Sequence, residues 1–343
     1  MRLAILGCGN RVQVSILPTL SENPDIRITA LIDPSRAALL EACTCLRSLG
    51  VPMEEKVQLL PEDEGLSPMA VNAVLVASPH AFHAPQTRRW LQRGKPVFVE
   101  KPLACHPEDA AALVELSRGI GLSLSEPRRF RADLQAVRDI LRSGAIGRLH
   151  KIRSEDYVRK ARHFQRSWRN DPALAGGGVL LDLGCHTLAS LLWTCGLRTL
   201  SLERIDLQRG ACQVETKALL LLQGPRVEAE VVVGLVNDRA GWERLILWGE
   251  TGSLRLFRSR QDGGVSRVEV VSRARIHRFN LRSGDGFESA SLRRFLRSPD
   301  LCEPDAFECH IEALRLIRQA YQTAGGPRLA EPAVPERCHA QDR

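Results

Sequence analysis

The chain has 343 residues, 44% of them hydrophobic and 26% charged, with a formal net charge of +8. That length exceeds what one hydrophobic core usually serves, so two domains are expected, and the composition excludes a disordered chain. No apolar run approaches the roughly 20 residues of a membrane span, and the strand-like run Leu3–Leu6 begins too close to Met1 for a signal peptide, so a cytoplasmic protein without a membrane partner is expected.

The first third alternates short apolar runs with amphipathic stretches, the rhythm of βαβ units and a parallel sheet. Leu3–Leu6, Ile28–Ile32, Ala73–Ala77 and Pro96–Val99 read as buried strands, and Ser35–Leu49, Phe82–Arg93 and Pro107–Arg118 as helices. After about residue 124 the rhythm changes. Helix Ala132–Ser143 leads into strand-like runs at Leu149–Tyr157, Leu200–Leu207, Thr216–Leu222, Val227–Val236, Arg244–Trp248, Ser253–Phe257 and Val265–Val271. Short turns between consecutive runs argue for an antiparallel sheet. Helix Val179–Trp193 interrupts the strands, and helices Phe287–Leu296 and Ala306–Thr323 close the fold. The expected class is α/β: a Rossmann dinucleotide-binding domain over 1–124, an α+β domain with a large, mainly antiparallel sheet over 125–325, and a tail over 326–343.

The ten cysteines are scattered and read as reduced, packed thiols. Cys43 and Cys45 form a C-x-C pair with no second pair at zinc-finger spacing, so no metal is expected. The basic excess is local, because residues 128–169 carry 13 Lys/Arg against 4 Asp/Glu. No helix-turn-helix, finger or RNA-binding signature accompanies it, and no nucleic-acid partner is expected.

Gly7-Cys8-Gly9-Asn10-Arg11-Val12 follows the first strand and opens a helix, where a dinucleotide fingerprint belongs. The first glycine permits the tight turn. The second lets backbone approach a pyrophosphate seated at the helix N-terminus. Val12 occupies the third position, usually Gly or Ala, so looser helix–strand packing is expected there. Asp33 ends the second strand, placed to accept hydrogen bonds from the adenosine ribose, with Arg36 close by.

Three further runs carry chemistry: Ser78-Pro79-His80-Ala81-Phe82-His83, Glu100-Lys101-Pro102, and Trp168-Arg169 leading through Gly176-Gly177-Gly178 to Asp182-Leu183-Gly184-Cys185-His186. With these the sequence resembles the glucose–fructose oxidoreductase and inositol dehydrogenase (Gfo/Idh/MocA) family from Leu3 to about Ala324. The resemblance implies an NAD(P)-dependent oxidoreductase in which Lys101, Asp182 and His186 meet the substrate. On a helix, Asp182 and His186 share one face. His186 suits a general base for a hydroxyl proton, and Lys101 a cationic donor where oxygen charge changes.

The resemblance places NAD, or alternatively NADP, against Gly7, Gly9, Asn10, Arg11, Val12, Asp33, Arg36, Ser78, Pro79, His80, His83, Glu100, Lys101 and Arg129. Arg159, Arg162, Trp168 and Arg169 are expected at a small-molecule substrate; the basic segment either makes that substrate an anion or is a solvated face or the rim of a subunit interface. His80 stands where the family often has Asn, and Ala189 where it often has Asp. The expected reaction moves hydride between a secondary alcohol of a sugar or cyclitol and nicotinamide. A biosynthetic carbonyl or imine reductase and a non-catalytic NAD(P) sensor are the alternatives. The open face of the second sheet is expected to make a homodimer or homotetramer.

Overall fold

The computed structural model describes residues 1–325 apart from 160, 238–239, 262–263, 274, 283–285 and 301–303, and for 161 and 163 the backbone alone. The expected tail therefore lies outside the described residues. Six strands form the first sheet: β1 (Arg2–Leu6), β2 (Arg27–Ile32), β3 (Met53–Leu60), β4 (Ala73–Val76), β5 (Val97–Val99) and β6 (Leu122–Leu124). Their order is β3-β2-β1-β4-β5-β6, with every pair parallel. This is the doubly wound arrangement, in which ligands bind outside the carboxyl ends of the strands where the order reverses, here between β1 and β4. Both faces of β1, β4 and β5 are covered, so their residues, apart from exposed Arg2 at the start of β1, are apolar rather than alternating.

Two of the six strands go beyond the sequence reading. Strand β3 is an edge, and its Glu54, Glu55 and Lys56 leave no apolar run. Strand β6 has only three residues.

Eight strands form the second sheet: β7 (Leu149–Arg159), β8 (Ser201–Gln208), β9 (Lys217–Gln223), β10 (Glu228–Val236), β11 (Trp242–Gly249), β12 (Gly252–Ser259), β13 (Val265–Ser272) and β14 (Arg275–Arg282). The order is β14-β13-β12-β11-β7-β10-β9-β8, antiparallel except for the β7–β10 pair. One face buries Ile152, Val231, Leu245 and Leu256 against the helices. The opposite face presents Arg153, Ile246, Arg255 and Phe257.

The stretch Pro172–Cys195 is long and apolar enough to cross a bilayer by composition, yet it is mostly buried inside the protein. It forms three short helices at the core of the second domain, and helix Pro304–Thr323 packs along the last of them, Gly184–Cys195. Helix Ala290–Arg297 returns to the first domain. Its Leu292 and Phe295 join the core around β1 and the first helix, with the Phe295 ring 5.7 Å from Phe98. Thr19 hydrogen-bonds Ser289, and Glu22 pairs with Arg293, across the same seam. All eight cysteines among the described residues are unpaired thiols.

Candidate active site

Gly7 has φ +87°, and a Cβ there would meet the Ala77 carbonyl and Ser78 nitrogen at 2.6 Å, so the turn after β1 lies directly on the turn after β4. A Cβ at Gly9 meets nothing within 4 Å. The loop is thus packed on one side and open on the other, as a pyrophosphate requires. Asn10 opens the following helix, exposed to solvent. Val12 is fully buried at the start of a π-helical stretch, Val12–Ile16, in which Leu17 N–H bonds back to Val12. The widened turn sits where the larger third side chain must fit, and Pro18, which has no N–H to donate, follows it.

Asp33 Oδ2 accepts from Cys8 N–H at 2.8 Å and Oδ1 from Ser35 N–H at 2.8 Å. The carboxylate so fixed retains lone pairs for a ribose. Arg36 begins the next helix, exposed beside it. The residues of this loop region fit a dinucleotide.

Below the loop a cleft of about 390 Å³ separates the domains, lined by Arg11, Ser78, His80, His83, Glu100 and Lys101 from the first. The second contributes Trp168, Arg169, Asp182 and His186. Arg11 Nε pairs with Glu100 Oε1 at 2.9 Å, tying the glycine-loop helix to the Glu-Lys-Pro segment. Ser78 Oγ donates to Gln86, and Pro79 caps the helix His80–Gln92. His83 is buried with its ring nitrogens 2.7 Å from the carbonyls of Pro102 and Ser78, which locks those two loops together.

Lys101 Nζ lies 2.6 Å from Asp182 Oδ1. Arg169 Nε approaches Oδ2 at 3.3 Å, and His80 Nε2 faces Oδ1 at 3.6 Å. Burial alone would raise the Asp182 carboxyl, but Lys101, His80 and Arg169 together hold it well below the usual carboxylate range. His80 is pushed by burial down to about 4, against the pull of Asp182, so it is neutral near pH 7. Its Nδ1 faces the Ala175 carbonyl at 2.9 Å, and its ring meets Trp168 edge-on.

The expected helix Val179–Trp193 is two helices, Val179–Asp182 and Gly184–Cys195, broken at Leu183. Asp182 and His186 still reach one cleft. The start of this segment is clamped. Buried Glu215 accepts from Gly178 N–H and Leu180 N–H, each at 3.0 Å, and from the Tyr321 hydroxyl at 2.7 Å. A Cβ at Gly176, Gly177 or Gly178 would fall within 2.4 Å of Cys105, Tyr321 or Glu215 respectively, which explains three glycines in a row.

Glu126, just after β6, holds His186. Its Oε1 lies 2.7 Å from His186 Nδ1. Burial lowers the His186 imidazole while Glu126 raises it, and the histidine in return keeps the Glu126 carboxyl far below its ordinary value. An ionised carboxylate accepts only, so the neutral imidazole carries its hydrogen on Nδ1 and keeps Nε2 as the base. Sequence reasoning missed Glu126. The signal was an acid at the carboxyl end of a sheet strand, hidden because β6 is so short.

Arg129, expected at the cofactor, instead lies with Glu126, Trp193 and Asp305 around a separate small pocket. Its neighbour Arg128 and Arg131 line the cleft in its place, since a 3-10 turn over Pro127–Phe130 aims them differently. Arg159 and Arg162 are exposed and do not line the cleft, whereas Trp168 and Arg169 do. The far cleft wall holds Arg258 and Arg260, which sequence reasoning also missed.

The model of an oxidoreductase family with an NAD-binding Rossmann fold (Gfo/Idh/MocA) matches residues 1–126, and that of the family's C-terminal domain matches residues 134–255. Over 265 residues the chain is 33% identical to the dTDP-3,4-didehydro-2,6-dideoxy-alpha-D-glucose 3-reductase of Streptomyces violaceoruber, covering 76% of this chain and 73% of that protein. It is 28% identical over 207 residues to the D-glucoside 3-dehydrogenase of Escherichia coli K12, covering 57% and 54%. Among solved structures, a 3-ketoreductase from Actinomadura kijaniata, crystallised with NADP and TDP-benzene, superposes with a TM-score of 0.77 at 22% identity, covering 93% of this chain and 97% of that one. With both family models matched and Lys101, Asp182 and His186, the residues expected to meet the substrate, gathered in one cleft, the chain belongs to the Gfo/Idh/MocA family and is an NAD(P)-dependent oxidoreductase.

Proposed function

We propose that the chain interconverts a ketone and a secondary alcohol on a sugar bearing an anionic group, a nucleoside diphosphate being the favoured carrier. The bound nicotinamide supplies or accepts the hydride. His186 Nε2 takes the hydroxyl proton in oxidation, or returns it in reduction, with Glu126 stabilising the imidazolium. Lys101 stabilises the developing oxyanion, and Asp182 orients Lys101 through their 2.6 Å pair.

The observation that carries the anionic substrate is the cleft wall beyond this trio. Among the described residues, Arg128, Arg131, Arg258 and Arg260 pair with three acids, Asp133, Asp156 and Glu243. Buried Arg258 Nε has no hydrogen-bond partner, so one donor remains for a ligand. The name of the Streptomyces relative, a dTDP-sugar reductase, supports the same substrate class. The test is turnover of dTDP-linked ketosugars and of neutral glucosides with NADH and NADPH, in wild type and Arg258→Ser. The substitution should raise KM several-fold for the nucleotide sugar and little for a neutral analogue. Efficient turnover of neutral glucosides alone would refute this reading and favour a glucoside dehydrogenase.

A second copy is the partner we infer for the open sheet face, where exposed Phe257 and Ile276 lie among Arg153, Arg255 and Glu269. Light scattering should find a dimer or tetramer, and Phe257→Glu should dissociate it; a wild-type monomer at micromolar concentration would refute this.

A further inference from the structure

A buried line of polar groups leads away from His186 on its Nδ1 side. Glu126 Oε1 takes that nitrogen's hydrogen, and Glu126 Oε2 lies 3.6 Å from Nδ1 of His310, on helix Pro304–Thr323. Both atoms of that second approach are buried, and neither has a hydrogen-bond partner among the described residues, so each faces only the other. His310 has no exposed surface at all. Its Nε2 accepts the Leu103 N–H at 3.1 Å, two residues beyond Lys101. That bond settles the tautomer. An accepting Nε2 carries no hydrogen, so the hydrogen sits on Nδ1, the atom that faces the Glu126 oxygen.

We propose that His310 is a positioning residue for His186 and acts through Glu126, holding the carboxylate in the one orientation that leaves Nε2 of His186 as the base. Without the His310 N–H, buried Glu126 Oε2 loses the polar group that faces it at 3.6 Å. The carboxylate then turns away, and His186 loses both its tautomer lock and its counter-charge. The line joins three segments distant in sequence: the catalytic helix, the end of β6 and the C-terminal helix. Through Leu103 it also reaches the loop that carries Lys101.

Other charges face this line. Lys101, Glu100 and Arg128 lie around His186, and Arg129 lies near Glu126. All of them remain in the variants used below, so a change in titration between variants reports the Glu126–His310 contact.

The proposal rests on His186 being the acid–base group, and its test is kept separate from activity. Two-bond ¹H–¹⁵N correlation spectra of the full chain labelled with ¹⁵N-histidine read the tautomer and titration midpoint of each ring. His186→Ala and His310→Leu assign the two signals by their loss. Both neutral rings should carry hydrogen on Nδ1. Glu126→Gln should move the His186 midpoint to lower pH, and His310→Leu should move it the same way by about half a pH unit or more. His310→Asn, whose amide stands in for the Nδ1–H donor, should restore the wild-type midpoint.

A hydrogen on Nε2 of either ring in the wild type overturns the proposal and needs no variant to fold. So does a His186 midpoint left in place by His310→Leu, or by His310→Ala where leucine is not tolerated. Turnover in His186→Ala tests the underlying reading on its own. A rate near wild type there removes His186 from the chemistry, whereas an inactive His186→Ala with unmoved midpoints removes only His310.

Discussion

Lowering the pH from about 7 to about 5 should destabilise this protein, and one buried imidazole, His80, should contribute an amount the structure sets. His80 is 3% exposed, and burial pushes it down to about 4 although Asp182 lies 3.6 Å away. Unfolded, the same ring titrates near 6.5. Between the two values the unfolded chain binds more protons than the native one. Stability from His80 is therefore fully present above about pH 6.5 and is lost as the pH falls toward 4. By about pH 5 the loss integrates to about 2 kcal/mol, still above the range where carboxylates begin to protonate.

The assay is urea unfolding followed by tryptophan fluorescence, in wild type and in His80→Gln, at both pH values. Any packing defect of the variant appears at both and cancels. Wild type should lose about 2 kcal/mol more than His80→Gln, because His83 and His186, also lowered by burial, contribute equally to both proteins. Equal losses would refute the reasoning: the Asp182 carboxylate would then be holding His80 as an imidazolium, and burial would not dominate.

Lys101→Ala and His186→Ala should each lower kcat by about 10²-fold or more while cofactor Kd, read by fluorescence quenching, stays within a few-fold. A rate near wild type would remove that residue from the mechanism. NAD should bind more tightly than NADP, since Asp33 is held by Cys8 and Ser35 where a 2′-phosphate would sit, and Arg36 offsets part of the repulsion. Calorimetric titration of both cofactors into wild type and Asp33→Ser checks this, and tighter NADP binding by the wild type would sink it. Glu215→Ala takes the acceptor from the Leu180 N–H and the Tyr321 hydroxyl and leaves the Gly178 N–H only the Tyr321 oxygen, 3.2 Å away, which should cost about 3–5 kcal/mol in denaturant unfolding. A loss under about 1 kcal/mol would mean the glycine turn holds itself.

The two-domain order and the cleft residues Lys101, Asp182 and His186 were legible because each rests on a local signal. The apolar strands β1, β2, β4 and β5 announce a parallel sheet, and Glu100-Lys101-Pro102 and Asp182…His186 sit in short motifs. Strands β3 and β14 were not legible, because an edge strand need not bury either face and their charged residues break the apolar pattern. Glu126 and His310 stayed hidden for a different reason: their partners are 60 and 207 residues away, and only the fold joins them. Arg129 marks the finest limit. The basic run at 128–131 was visible, but which side chains entered the cleft depended on the rotation of one 3-10 turn.

The return of helix Ala290–Arg297 to the first sheet has a consequence for how the chain is made. Phe98 and the apolar surface beside β6 lack their cover until Leu292 and Phe295 have been synthesised, although the family's cofactor-binding domain ends in sequence by residue 126. At ribosomal rates of about 5–20 residues per second, that interval is roughly 10–30 s. During it the nascent Rossmann unit carries that apolar surface uncovered, a natural binding place for a chaperone. A fragment ending at residue 126 would keep it uncovered permanently, and should be less soluble than the same fragment supplied with residues 287–297 as a peptide.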